Sequence, residues 1–67
     1  MRKTQRRILG TMLTLCDDNM EVEINIPRIA EKAGYSGTGG MITTAVEMLE
    51  HHNKIAKTGD GKWRITI

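Results

Sequence analysis

"IPRIAEKAGYSGTGG", Ile26 to Gly40, begins as a helix led by proline and ends in glycines. Proline suits the first turn of a helix, where its missing N–H has no partner to lose. Ile29, Ala30 and Ala33 then form a short apolar face, with Arg28, Glu31 and Lys32 directed outward. Gly34 ends this helix of about two turns, because glycine takes a left-handed conformation with least strain. The residues after it are where a phosphate-binding loop would be sought. Gly34 and Gly39 have the outer spacing of a nucleotide loop, but Gly40 and Met41 stand where lysine and a hydroxyl residue are needed. A helix also precedes the segment, where that loop needs a strand. The dinucleotide fingerprint lacks its third glycine, since position 42 is Ile42. The segment therefore reads as an extended turn between two helices, with Ser36 and Thr38 available as caps or hydroxyl donors.

Downstream, Gly40 to His52 has helical periodicity. Ile42, Ala45, Val46 and Leu49 make one stripe, widened by Met41, Met48 and His52. Gly40, Thr43, Thr44, Glu47, Glu50 and His51 fall together on the opposite side. Asn53 can supply a left-handed stop. "KIAKTGDGKWRITI" closes the chain as a hairpin turning at Asp60-Gly61, with Trp63, Ile65 and Ile67 facing a core. Upstream, residues 4 to 16 predict a helix with Thr4 as N-cap and Ile8, Leu9, Met12, Leu13 and Cys16 on its apolar stripe. Asp17 to Asn19 break it. "EVEINI", Glu21 to Ile26, alternates perfectly and predicts a strand with Val22, Ile24 and Ile26 inward. That strand has no neighbour except the C-terminal hairpin. The expected architecture is therefore α+β: three helices against a three-stranded antiparallel sheet, one domain over residues 1–67. The five methionines read as gap-filling core, with Met12, Met20 and Met48 partly exposed.

Composition narrows the function classes. The single cysteine, Cys16, allows no internal disulfide, and the chain has neither a secretory pattern nor an apolar run near the ~20 residues that span a bilayer. These features predict a cytoplasmic protein, nucleoid-associated if bacterial, with no membrane partner. Net charge is only +2 at a pI of 9.0, but the charges are segregated. Arg2, Lys3, Arg6 and Arg7 begin the chain, Asp17, Asp18, Glu21 and Glu23 form an acidic patch, and Lys54, Lys57, Lys62 and Arg64 make the end basic. Basic ends of this kind suit a polyanion.

In order and length of elements the chain resembles the winged helix-turn-helix family. "IPRIAEKAGYS" resembles the first helix and turn of the motif, with Ala30 between the helices, Gly34 in the turn and Tyr35 after it. "ITTAVEMLEHHNKIAK" resembles a recognition helix running into the wing, with Leu49 and Ile55 as core anchors and "TGDGK" as wing tip. The likeness covers nearly the whole chain, most clearly Ile26 to Ile67. One departure is the path from Gly34 to Ile42, about two residues longer than the ordinary turn and rich in glycine. The resemblance implies a recognition helix over about 40–52, a wing over about 54–67, and binding of double-stranded DNA by a small transcriptional regulator or the DNA-binding module of a mobile-element or phage-type protein.

On that reading Thr43, Thr44, Glu47 and His51 face the major groove, where threonine can touch a thymine methyl and glutamate can accept from cytosine N4. Ser36, Thr38 and Gly40 lie at the start of the helix, where free N–H groups favour a phosphate. Lys54, Lys57, Lys62 and Arg64 on the wing, and Arg2 and Lys3 in the N-terminal arm, are expected to meet the DNA backbone. Against this stand Glu47 and Glu50, which repel phosphates, and the lack of an arginine base reader on the helix. The alternative is a winged-helix module that binds protein and not DNA, using the patch Asp17, Asp18, Glu21 and Glu23. With no long extra helix, a monomer or weak dimer is expected. Nothing predicts an enzyme, a cofactor or a metal: Asp17 and Asp18 are neighbours in a turn, and His51 and His52 point about 100° apart on a regular helix.

Overall fold

A computed structural model describes residues 2–36 and 39–66 of the chain. The elements run α1 (Lys3–Leu15), β1 (Glu21–Glu23), α2 (Ile26–Lys32), α3 (Gly39–His51), β2 (Ile55–Lys57) and β3 (Lys62–Ile65). The architecture is α+β, three helices and a three-stranded antiparallel sheet of order β1-β3-β2. The first strand pairs with the hairpin as expected, and β3 is central. Val22 lies opposite Trp63, and Glu21 opposite Arg64. On the other side Ile55 faces Ile65, and Lys57 faces Trp63. Gly37, Thr38 and Ile67, named above as turn, cap and core residues, lie outside the described residues.

α1 begins one residue earlier than its sequence pattern suggests. Arg2 is the N-cap, extended at φ −74° and ψ 157°, and its carbonyl accepts from the Arg6 N–H at 3.0 Å. Thr4 is thus inside the helix and does not cap it. The buried stripe is Gln5, Ile8, Leu9 and Met12. Met12 is completely buried, not partly exposed, whereas Leu13 is turned to the surface. The stripe inferred from spacing is wider than the arc that the core covers.

The strand predicted through Ile26 stops at Glu23. Asn25 accepts from the Arg28 N–H at 3.1 Å and caps α2, so Ile26 becomes the first helical residue and Pro27 the second. The local cap outcompetes the alternating pattern. Ile24 is consequently exposed, and its N–H donates to the Gly61 carbonyl at 2.9 Å.

Both α2 and α3 end in the same motif. Gly34 has φ +87°, its N–H donates to Glu31 O at 3.1 Å, and the Tyr35 N–H donates to Ala30 O at 3.0 Å. Asn53 has φ +60°, its N–H donates to Glu50 O at 3.0 Å, and the Lys54 N–H donates to Leu49 O at 2.9 Å. These paired bonds satisfy carbonyls that a helix end leaves free. Tyr35 packs against the core, and the Arg7 guanidinium lies over its ring, 5.2 Å from the centroid.

The core sits where the three helices pack together against the inner face of the sheet. Ile8, Met12, Ile29, Ile42, Leu49 and Ile55 are its most deeply buried large side chains. Trp63 is 2 % exposed. Met41 is not part of this core: it is 52 % exposed, on the edge of α3 nearest α1.

Two glycines should respond in opposite directions. A Cβ at Gly10, in the exposed middle of α1, meets no atom within 4 Å. Gly10→Ala is therefore expected to stabilise the fold by about 0.5–1 kcal/mol. A Cβ at Gly34 meets Arg7 Nη2 at 3.1 Å on a left-handed backbone, so Gly34→Ala is expected to cost roughly 1–2 kcal/mol. Thermal unfolding followed by circular dichroism should show the midpoint rise for the first variant and fall for the second.

Candidate nucleic-acid interface

Burying Ile42, Ala45, Val46 and Leu49 turns the opposite face of α3 outward. Gly40, Thr43, Thr44, Glu47 and His51 are all exposed on it, and Ser36 is exposed ahead of it. Their hydroxyl and carboxylate groups make no hydrogen bond or ion pair within the described residues. A cap from Thr38 lies outside the described residues. The first turn of α3 holds no acidic residue.

The packing of α1 against α3 brings Arg2, at the basic start of the chain, to this helix. Arg2, Thr4 and Gln5 share the walls of an open groove of about 600 Å³ with Gly40, Met41, Thr44, Ala45 and Met48. Arg2, Lys3 and Arg6 are exposed, and none has a carboxylate partner among the described residues. Lys54, half-buried, follows α3 directly and shares a smaller pocket with Gln5, Leu49 and His52. Lys57 is exposed at the end of β2.

Lys62 and Arg64 are placed differently. They lie on the outer face of β3, beside β1, which carries much of the acidic patch. Arg64 Nη2 donates to Glu21 Oε2 at 2.6 Å, and Lys62 Nζ is 3.7 Å from Asp17 Oδ2. Arg28 stands 4.0 Å from Glu23. The acidic patch and the basic hairpin are thus one ion-paired surface, not two opposed ones. Of the patch, Asp18 alone has no cation partner among the described residues.

Asp17 also builds the turn that delivers β1. Its Oδ1 accepts from the Asn19 N–H at 2.8 Å and the Glu21 N–H at 3.0 Å, while its own N–H donates to Glu21 O at 2.9 Å. The Glu21 N–H and then the Asn19 N–H hold its carboxyl below the ordinary 3.8, with Lys62 helping.

Gln5 and Met41 line the groove yet were not singled out as site residues from the sequence. Gln5 could have been found, since it occupies the same stripe as Ile8, Leu9 and Met12. It is only 7 % exposed. Met41 borders the apolar arc on the helical wheel, so spacing alone places it with the core, whereas it is 52 % exposed. The His51 and His52 rings meet edge-on, their centroids 5.5 Å apart. Among the described residues, no group of three or more His, Cys, Asp or Glu could hold a metal, and no helix is long and apolar enough to cross a membrane.

Comparison with protein families, curated proteins and solved structures finds no match to this chain.

The Asp17 turn has a pH signature. Its carboxyl binds a proton less readily in the fold than in the unfolded chain, so its stabilising effect is complete well above pH 3.8 and is lost as pH falls below that value. Asp17→Asn keeps an acceptor oxygen but loses the charge. Urea unfolding should find the variant less stable near neutral pH and converging on the wild type in acid. A stability difference unchanged across that range would rule out a role for the charge.

Proposed function

We propose that the chain is a winged helix-turn-helix domain that binds double-stranded DNA, with α3 entering the major groove and the β2–β3 hairpin acting as the wing. The observation that carries this reading is the juxtaposition of α3's exposed polar face with Arg2 across the α1–α3 groove, with the exposed Lys3 and Arg6 on the same first turns of α1; none of the three cations has a carboxylate partner among the described residues. An α-helix with its side chains is about 10–12 Å across, which suits a major groove ~12 Å wide. Thr43, Thr44 and Glu47 then reach base edges. Gly40 and Ser36 sit at the helix start, and His51 and Lys54 at its end. Phosphate contact falls chiefly to Arg2, Lys3, Arg6, Lys54 and Lys57. Lys62 and Arg64 must loosen their bonds to Asp17 and Glu21 to reach a phosphate, so they contribute less.

The rival reading, a protein-binding module acting through the acidic patch, is weakened by the same ion pairs. Asp17, Glu21 and Glu23 are already matched to Lys62, Arg64 and Arg28.

Neutralising about five phosphates implies that log affinity falls with log salt at a slope of roughly −4 to −5. Fluorescence anisotropy with a labelled random-sequence duplex at two salt concentrations measures this. Replacing Arg2, Lys3 and Arg6 together by glutamine should flatten the slope by about 3. Replacing Thr43 and Thr44 by alanine should change preference among sequences more than it changes the slope. Absence of binding at low salt would reject the proposal.

A further inference from the structure

The two ends of α1 are chemically opposite. At its start, the groove against α3 combines exposed Arg2 with an apolar bed of Met41, Ala45 and Met48, and no described lining residue is acidic. Gln5, only 7 % exposed, forms part of the groove's wall. At the other end, the turn after α1 holds out Met20 beside Asp18. Met20 has φ +62° and is 38 % exposed. Its backbone is fixed, since the N–H donates to Asp17 O at 3.0 Å and the carbonyl accepts from the Ile65 N–H at 2.8 Å. Glycine or asparagine would hold this left-handed position with less strain. Methionine is therefore unexplained by the turn and is poorly covered by the core. Strain of this kind is a reason to look for a use of the side chain.

We infer that the α1–α3 groove receives the Asp18–Met20 turn of a second copy of this chain. Met20 enters between Met41 and Met48, and the Asp18 carboxylate meets the Arg2 guanidinium. The chain cannot fill its own groove, because the 13 residues of α1 hold the two ends about 20 Å apart. Different surfaces meet, so the contact is heterologous and propagates head to tail instead of closing. A patch of this size supports weak association, with Kd on the order of 1 mM. The inference stands whether or not the chain binds a duplex.

Nuclear magnetic resonance of the full ¹⁵N-labelled chain tests it, by dilution from about 1 mM at low salt without DNA. Amide shifts are expected to move in two separate patches, Asp18 to Met20 and the groove around Arg2, Met41 and Met48. Met20→Lys removes the inserted residue and Met41→Lys blocks the groove. Both positions are exposed, and Met20→Gly supplies a variant that keeps the turn without the anchor. Each variant alone should weaken association by about tenfold or more. An equal mixture of Met20→Lys and Met41→Lys should restore the shifts on the turn of one and the groove of the other, with assembly stopping at dimers. Wild-type shifts that ignore concentration, shifts confined to other surfaces, variants that still associate, or a silent mixture would each overturn the inference.

Discussion

The pairing of β1 with β3 is the constraint on which the remaining structure depends. It joins residues about 40 positions apart, the farthest being Glu21 and Arg64, through three opposed pairs, and so short a strand has no stability of its own. It is held at one end by the Asp17 turn and across its outer face by Glu21 and Arg64. Beyond the strand, the Ile65 N–H reaches the Met20 carbonyl. On the inner face the pairing sets Val22 against Trp63 in the centre of the sheet. Trp63 contributes the largest aromatic surface in the core, yet its Nε1 is buried without a partner among the described residues. Leaving a buried donor unpaired costs roughly 1–3 kcal/mol. The ring must offset this by packing alone, so the sheet tolerates little loosening around it.

The same pairing redistributes charge. In the linear sequence, acidic and basic segments look like separate surfaces available to different partners. Antiparallel register sets Glu21 directly across from Arg64 and folds Asp17 back to Lys62. Exposed ion pairs add little stability. Their consequence is that the outer sheet face is nearly compensated. Among the cations without a carboxylate partner in the described residues, Arg2, Lys3 and Arg6 cluster at the opposite end of α1, where Arg2 lines the groove against α3. A net charge of +2 conceals this arrangement, because it averages a matched surface with an unmatched one.

Much of the architecture was legible because it rests on local chemistry. Gly34 and Asn53 mark helix ends through left-handed backbone, the glycines of the 58–61 turn mark the hairpin, and the apolar spacing of Ile42 to Leu49 orients α3. What was not legible depends on competition or on distance. Ile24 and Ile26 alternate as in a strand, but Asn25 caps a helix between them, and one side-chain hydrogen bond decides the outcome. Thr4 looks like a cap, yet Arg2 fills that role through backbone conformation. The candidate site shows the same division. The polar face of α3 follows from helical period, and its exposure is as expected. The pairing of Lys62 and Arg64 could be known only from strand register. The groove formed by Gln5, Met41 and Met48 required knowing that α1 crosses α3 there.

Three arcs of α3 therefore have separate environments. One is buried, one presents Thr43, Glu47 and His51 to solvent, and one, from Met41 to Met48, borders the groove. Thr44 and Gly40 stand where the last two meet, and Arg2 faces both. An occupant of the groove and a duplex across the polar face would draw on that same guanidinium. Arg2 is the N-cap of α1, held at its backbone, and its side chain has no carboxylate partner among the described residues. It can serve either surface at the cost of rotamer freedom alone. Threonines and a glutamate, by contrast, are short and fixed on the helix. Under the proposed function, orientation on DNA comes from the fixed residues and attraction from Arg2. On that proposal, a partner that captured Arg2 would remove the attraction while leaving the exposed face of Thr43, Thr44 and Glu47 unchanged.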